Sequence, residues 1–380
     1  MTHERRAVLA LLLAGLATFA SLYSTQAILP SLSGALGGTA TQAAGTVSAA
    51  TGALAVCIVP ASVLSERYGR NRVLLTSALA ATLMGLLVPL APSMSVLTVL
   101  RGVQGALLAG VPAVAMTWLS EELGAAAPKA MGIYIAGTSL GGLAGRIIPA
   151  VAAEFLPWRA ALLAGALPAF GCAIAMWRLL PAQQHFHPKK LTFTSEGRAM
   201  LGHWRNPTLA LLFAMGFLAM GTFVSVYNYL GYYLQQHFGL SEALAGSVFV
   251  LYLAGTVAST KAGGGRRGML LGGTLGMLAG LGCLLVNNLA VVVVGLLVFT
   301  AAFFTTHTAA SGWLGEVAIR DRAEASSMYL LCYYTGSAVV GAAAGGVFAD
   351  GHWARLVLAL GGLLGVAVLL QLLGTRRARA

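Results

Sequence analysis

The stretch AAGTVSAATGALAVCIVPASVLSERYGRNRVLLTSALAATLMGLLVPLAP, from Ala43 to Pro92, decides the fold. It holds two runs without a charged residue, Ala43–Leu64 and Val73–Pro92, on either side of SERYGRNR, which carries one acid and three arginines. About 20 apolar residues is the length that an α-helix needs to cross the hydrocarbon core of a bilayer. The stretch therefore predicts two membrane-spanning helices joined by a tight basic loop.

The same pattern recurs in both directions along the chain, and it predicts an all-α membrane protein with twelve transmembrane helices in two six-helix bundles. A polar stretch after the sixth run separates the bundles. The predicted spans are Ala7–Leu29, Ala43–Leu64, Val73–Pro92, Val96–Leu119, Met131–Ala153, Ala160–Leu180, Thr208–Leu234, Ala243–Thr260, Met269–Leu285, Leu289–Trp313, Ala325–Phe348 and Leu356–Leu373.

The composition agrees with solvation by lipid. Of the 380 residues, 58% are hydrophobic and 9% are charged, whereas a soluble domain is about a quarter charged. The net charge of +12 does not indicate nucleic-acid binding, because the basic residues form neither a continuous arm nor a surface interleaved with aromatic rings. The predicted partners are the bilayer and a small-molecule solute, and the protein is predicted to be a monomer.

Three regions are predicted: an N-terminal bundle at 1–180, a cytoplasmic linker at 181–206 and a C-terminal bundle at 207–380. The linker carries His185 and His187, which resemble a metal pair, but two histidines without further ligands are interpreted as solvated. No metal and no cofactor is predicted. The four cysteines lie inside apolar runs and are interpreted as small packing residues.

Orientation follows from the basic residues, because Lys and Arg in short loops stay cytoplasmic. Nearly all of them fall in loops on one side of the predicted membrane, with Arg159 and Arg355 opposite. Both termini are therefore predicted to be cytoplasmic. The first apolar run alone fits a signal peptide, and the eleven spans after it favour a retained helix.

A weak internal repeat links the two bundles. At an offset of 195 residues, Tyr134, Gly141 and Trp158 match residues in and just after the eleventh span. Transporter folds are often built from such repeats. The matching residues of the second bundle are Tyr329, Gly336 and Trp353.

Enzyme motifs lack their structural context. Residues 137–141 fit the hydrolase elbow and residues 263–268 fit the dinucleotide fingerprint, but neither lies between a strand and a helix. The chain is therefore predicted not to be an enzyme, and an intramembrane enzyme or sensor is kept as a remote alternative.

Several motifs resemble the major facilitator superfamily. These are the loop after the second span, LTVLRGVQGALLAG from Leu97, GTSLGGLAGRIIP from Gly137, and, in the second half, NYLGYYL, FFTTHTAASGWLG and ASSMYLLCYYTGS. The second-half motifs are similar to those of bacterial inner-membrane transport proteins that are grouped with sugar-efflux and drug-efflux antiporters. Three positions depart from the pattern: Ser62 replaces the usual glycine, Glu66 replaces the usual aspartate, and Arg146 stands where proline is expected.

The resemblance implies alternating access, proton-driven efflux and a location in the bacterial inner membrane. It also implies a cytoplasmic gating loop in which the acid and the arginines form a charge relay, and a part for Arg101 in proton coupling. The loop residues concerned are Glu66, Arg67, Gly69, Arg70 and Arg72.

Two cations are predicted to lie within spans, Arg101 and Arg146, and intramembrane charges are functional candidates because they are costly to bury. All eleven acids map to loops or span ends, so no carboxylate is predicted at the midplane. A cavity with this charge favours an anion or a neutral polyol over a lipophilic cation. A structural role, such as capping helix carbonyls or pairing with Glu154, is the alternative for each arginine.

Other polar residues on the central spans complete the predicted cavity. His307 is a second candidate for proton coupling, since histidine titrates near neutral pH, and a hydrogen-bonded packing role, the more common one for a lone membrane histidine, is its alternative. Facilitated diffusion and multidrug export remain alternative functions. The remaining cavity candidates are Gln104, Tyr23, Gln26, Tyr227, Asn228, Tyr333 and Tyr334.

Overall fold

A computed structural model describes residues 1–186, 193–261 and 265–377. His187 of the predicted linker and Gly263 of the glycine-rich loop lie outside these ranges. The described residues form α-helices joined by short turns. In chain order these are α1 (His3–Leu22), α2 (Leu29–Leu36), α3 (Ala40–Tyr68), α4 (Arg70–Leu87), α5 (Met94–Leu108), α6 (Gly110–Leu123), α7 (Ala127–Ala153), α8 (Trp158–Leu179), α9 (Phe193–Gly202), α10 (Pro207–Phe238), α11 (Glu242–Ser247), α12 (Leu251–Lys261), α13 (Arg266–Cys283), α14 (Leu289–Val317), α15 (Arg322–Phe348) and α16 (Trp353–Arg377).

The predicted spans correspond to these helices. Among the described residues, nine helical stretches are long and apolar enough to cross a membrane, and one of them, Met94–Ala153, contains the fourth and fifth predicted spans. The eighth predicted span corresponds to α11 and α12, which are joined by the 3₁₀ turn Val248–Val250, and the ninth corresponds to α13. The prediction of twelve spans is therefore confirmed.

Like the eighth, the first and fourth spans are interrupted where the prediction has one continuous run. The first was predicted as one run to Leu29, but α1 ends at Leu22 and the chain continues through a 3₁₀ turn, Gln26–Ile28, into α2. The fourth was predicted as unbroken, but the helix is interrupted at Ala109 between α5 and α6. Apolar content sets the length of a span, and it does not report where the helix breaks.

The contacts divide the chain into two compact units. One consists of Met1–Ser195 with Ser241–Ser247, and the other of Glu196–Leu240 with Val248–Ala380. The first turn of the eighth span thus belongs to the unit of the first six spans. The predicted boundaries at 180 and 207 remain a prediction.

The glycine face predicted on α7 packs directly against α1. A Cβ atom built on Gly145 would lie 2.2 Å from the carbonyl oxygen of Ala20, and one on Gly141 would lie 2.4 Å from that of Leu16. Real Cβ atoms do not approach that closely, so the two backbones touch only because these residues have no side chain. This confirms the close packing predicted from the four-residue spacing.

The second unit repeats this packing. A Cβ on Gly336 of α15 would lie 2.1 Å from the carbonyl oxygen of Phe217 on α10. A Cβ atom built on Gly15 would lie 3.0 Å from the carbonyl oxygen of Tyr134, and one built on Gly216 would lie 2.9 Å from the ring of Tyr329. Gly141 and Gly336, which match at an offset of 195, therefore make equivalent contacts inside their own units.

Candidate substrate site and cytoplasmic charge cluster

The break in the first span exposes backbone carbonyls at the centre of the first unit. The last turn of an α-helix has carbonyl groups without an intrahelical partner, and inside a membrane such groups must be satisfied by protein. Here α1 ends at Leu22, and the backbone leaves the helical region at Tyr23, with φ −107° and ψ 12°. Ser21, Tyr23 and Gln26 of this break are all buried.

Arg101 of α5 binds the end of α1. Its side chain is fully buried, with 0% exposure. Its Nη1 lies 2.8 Å from the carbonyl oxygen of Ser21 and 3.3 Å from the Ser24 hydroxyl, and its Nη2 donates to the carbonyl of Leu22. Gln104 accepts from Nη1 and donates to the carbonyl of Ala81 at 3.0 Å. Arg101 therefore caps the broken helix, the structural role that the sequence left open.

All of these partners are neutral. Among the described residues no carboxylate lies within salt-bridge distance of Arg101, and its Nε is buried without a hydrogen-bond partner. The positive charge is therefore stabilised by dipoles alone. Such a site raises the positive potential around the break.

Arg146 of α7 reaches the same break from the other side. Its Nε donates to Gln26 Oε1 at 2.7 Å, and its Nη1 donates to the carbonyl of Gly142 at 2.7 Å. Its guanidinium carbon lies 3.8 Å from the centre of the Tyr23 ring, a cation–π distance. The side chain is 3% exposed. The ion pairs found among the described residues do not join Arg146 to Glu154, whose carboxylate accepts from the backbone of Ala243.

Five of the predicted cavity residues therefore meet around the segment from Ser21 to Gln26. The sequence reasoning missed the backbone of Ser21 and Leu22 and the hydroxyl of Ser24, which complete the polar shell around Arg101. The polar run SLYSTQ inside an apolar span is the signal that could have located the break. The five that meet are Arg101, Gln104, Arg146, Tyr23 and Gln26.

The second unit holds the other candidates in an aromatic cluster. Tyr227 shares a hydrogen bond of 2.7 Å with Thr300, and its ring lies 5.0 Å from that of Phe223. Phe223 in turn stacks on Phe303 with ring centres 3.8 Å apart. Asn228, next to Tyr227, is 1% exposed. The cluster consists of Phe223, Tyr227, Phe249, Tyr252, Phe303, Phe304, His307, Tyr329, Tyr333 and Tyr334.

His307 belongs to this cluster. Its Nδ1 lies 2.9 Å from the hydroxyl of Tyr329, and its ring centre lies 4.9 Å from that of Tyr333. Tyr333 also contacts the buried Tyr334 at 5.1 Å. The structure therefore places His307 in a hydrogen bond and between rings, and a part in proton coupling stays a prediction.

The loop between the second and third spans builds a buried charge cluster. Arg70 donates to Glu66 at 2.7 Å and binds Glu121 with two hydrogen bonds of 2.5 and 2.6 Å. The loop turns at Gly69, whose φ of +93° favours glycine. Arg67 and Arg72 are exposed and take no part. The sequence reasoning missed Glu121, which sits near the end of the fourth span.

Arg70→Ala is expected to lower the thermal midpoint of the purified protein in detergent by about 4–10 °C, because the buried Glu66 and the partly buried Glu121 lose their shared cation, at a cost of roughly 2–3 kcal/mol. Arg72→Ala, on the same loop but exposed, is the matched control and is expected to shift the midpoint by less than about 2 °C. Equal shifts in the two variants would show that the cluster does not stabilise the fold.

Comparison with known proteins agrees with this architecture. A family model described as Major Facilitator Superfamily matches residues 11–264. The chain is 40% identical over 350 residues to the inner membrane transport protein YnfM of Escherichia coli K12, a match that covers 90% of this chain and 84% of the relative. It is 35% identical over 361 residues to the uncharacterized MFS-type transporter YybF of Bacillus subtilis 168, covering 93% and 89%.

Solved structures share the fold. The D-xylose–proton symporter has a TM-score of 0.77 at 16% identity, covering 97% of each chain. The peptide transporter POT in complex with sulfate has a TM-score of 0.80 at 13% identity, covering 98% of this chain and 94% of that one. The protein is a multi-pass membrane transporter of the alternating-access type, and it is not an enzyme. The chain belongs to the major facilitator superfamily, as its motifs predict.

Proposed function

We propose that this transporter exports a small anionic solute across the bacterial inner membrane in exchange for protons. The observation that carries the proposal is the convergence of Arg101 and Arg146 on the break in the first span, with Tyr23 and Gln26 against Arg146. Arg101 stabilises the break by donating hydrogen bonds to the carbonyls of Ser21 and Leu22. Arg146, which contacts side chains on the break, is the group proposed to bind the solute.

The charge of the site favours this class of solute. A guanidinium in a low-dielectric environment attracts carboxylate or phosphate groups and presents a planar fork that matches them. A lipophilic cation would meet repulsion from two buried arginines. The ion pairs found among the described residues involve Glu66, Glu121, Glu122 and Glu316, which all lie near helix ends.

A neutral polyol is the second candidate. The Ser24 hydroxyl, the Gln26 amide and the phenol of Tyr23 are neutral groups that bind hydroxyls, and sugar rings pack well on aromatic side chains. The aromatic cluster of the second unit supports a solute with a ring. Export of flat apolar drugs is a further alternative that the same cluster favours.

The proposed orientation has both termini in the cytoplasm. Arg6, near the N-terminus, donates to the carbonyl of Leu179 at 3.2 Å. Glu122, at the end of the fourth span, accepts from the backbone of Gln184 and His185 in the linker. The N-terminus, the linker and the basic loop thus meet at one end of the first unit, which supports a shared cytoplasmic side. A monomer is proposed for the working form.

Flux in proteoliposomes tests the proposal. The panel consists of radiolabelled mono- and dicarboxylates, neutral polyols and tetraphenylphosphonium, each measured with and without an imposed pH gradient. We expect carboxylate flux that the gradient accelerates about tenfold or more and no flux of the cation. Gradient-driven flux of the cation alone would overturn the proposed solute class. Carboxylate flux that the pH gradient does not accelerate would overturn the proposal of proton exchange and favour facilitated diffusion.

A further inference from the structure

The first turn of the eighth span is held on the first unit by two carboxylates. Glu242 accepts a hydrogen bond from the hydroxyl of Ser31 on α2. Glu154, just after α7, accepts the backbone N–H of Ala243 at 3.1 Å. The rest of this span, from Val248 onward, belongs to the second unit. The segment Ser241–Ser247, called the latch below, therefore packs on α2 and α7 inside the first unit.

Packing below the carboxylates is tight. A Cβ atom on Gly246 would lie 2.4 Å from the Cβ of Ala150 on α7. Ala150 lies one helical turn before Glu154, and Gly246 lies one turn after Glu242, so the latch and α7 run side by side. The methyl group of Ala150 therefore packs on the backbone of Gly246, an approach that needs glycine. The latch is therefore either seated as a unit or lifted as a unit.

Glu242 is poorly suited to carry a negative charge while the latch is seated. Its Oε1 is buried without a hydrogen-bond partner among the described residues. A buried carboxylate oxygen without a donor is costly when ionised, whereas a protonated carboxyl carries less charge to solvate. The neighbouring Glu154 adds electrostatic repulsion.

We propose that Glu242 is a proton-binding group and that a proton on this carboxyl fastens the latch to the first unit. The inference goes beyond the proposed function, because it concerns what holds the latch and not which solute is carried. In the proposed orientation this end of α7 faces outward, so the group senses the pH on the side from which protons enter.

The other charged groups on the elements that pack against the latch are distant or engaged. On α7, Lys129 lies at the opposite end of the helix, and Arg146 lies two turns before Glu154 and binds Gln26 and Gly142. The 3₁₀ turn Gln26–Ile28 and α2 carry no charged side chain. Glu154 is thus the charged neighbour of Glu242 on these elements.

The direction of the pH effect follows from linkage. Glu242 is the N-terminal residue of α11 and lies before the apolar run that crosses the membrane. Burial raises the pKa of its carboxyl above the ordinary 4.5, the hydrogen bonds with Ser31 oppose the rise, and the charge of Glu154 adds to it. A lifted latch returns the carboxyl to water and to its ordinary pKa. The proton therefore stabilises the seated latch fully below about pH 4.5, and this stabilisation is lost as the pH rises through the raised pKa of the seated state.

Hydrogen–deuterium exchange of residues 241–247 tests this in the purified full-length protein. Exchange rates at pH 5 and pH 8 are corrected for the intrinsic pH dependence of amide exchange. In the wild type we expect protection that is at least about twofold higher at pH 5 than at pH 8, because a proton that binds more tightly to the seated latch stabilises it at the lower pH. Glu242→Gln, a neutral mimic of the protonated carboxyl, should show high protection at both pH values.

Glu316→Gln, an exposed acid paired with Arg266, is the matched control and should behave as the wild type. A pH dependence that survives in Glu242→Gln, or a wild type without any, would overturn the inference. The measurement needs no solute, so its result can be interpreted even if the proposed export function is wrong.

Discussion

Arg146→Ala is expected to reduce solute flux about 30-fold or more while the protein still inserts and folds. The guanidinium is 3% exposed and contacts Gln26 and Tyr23, so its loss removes the proposed attraction for an anion and leaves the Gln26 carbonyl without this donor. Truncating one partner of a buried charge interaction costs about 2–5 kcal/mol, which corresponds to roughly 30-fold to several thousand-fold. The measurement is the initial rate of flux for the solute that the wild type carries.

Two companion variants make this prediction specific. Arg146→Lys keeps the charge but loses the planar fork and the stacking geometry, so we expect about a tenfold reduction. Arg159→Ala removes an exposed arginine at the start of α8 and is expected to change the rate less than about twofold. Full flux in Arg146→Ala, at wild-type amounts of protein, would exclude this arginine from the solute site.

Gly145→Ala is expected to lower the stability of the protein strongly. The added Cβ would lie 2.2 Å from the carbonyl oxygen of Ala20, so α1 and α7 would have to separate. Overpacking of this kind costs about 1–3 kcal/mol, and we expect a fall of roughly 4–12 °C in the thermal midpoint. Because the next residue is Arg146, its contact with Gln26 should be lost, and flux should fall with it.

The same helix supplies the control. Gly132 is exposed on α7, and nothing lies within 4 Å of a Cβ built there. Gly132→Ala should leave the midpoint unchanged or raise it slightly, because alanine favours a helix by about 0.5–1 kcal/mol over glycine. If both variants lose the same stability, helix packing at Gly145 is not the cause.

The spans could be predicted because the bilayer constrains composition so strongly. A long apolar run without charges, such as Val73–Pro92, is typical of a membrane span. The four-residue spacing of glycines on α7 identifies the face of that helix that packs closely against another helix. The partner helix and the atoms in contact could not be predicted, because they depend on tertiary packing. The break after Leu22 was missed because serine, threonine and glutamine barely lower the apolar content of the run.

The sequence identified the two arginines of the candidate site but not the groups that they contact. Arg101 and Arg146 stood out because buried charge in a membrane is rare. Their shared target, the segment from Ser21 to Gln26, lies far from both in sequence. Glu121 and Glu242 could not be distinguished from other loop acids in the sequence. The contact of Glu121 with Arg70 and that of Glu242 with Ser31 join residues that are far apart in the sequence.

The central claim is that the break in the first span borders the path of an anionic solute. Gln26→Cys, in a background whose four native cysteines are replaced by alanine, is labelled in membranes with an anionic sulfonate reagent and with a quaternary ammonium reagent of the same reactive group. Thr39→Cys, at the start of α3 and away from the arginines, corrects for the intrinsic reactivity of each reagent.

We expect the corrected rate at position 26 to be at least about tenfold higher for the anionic reagent, because a positive potential concentrates anions. The solute that is transported should slow this labelling. Equal rates for the two reagents, or no labelling of Gln26→Cys by either, would contradict the account.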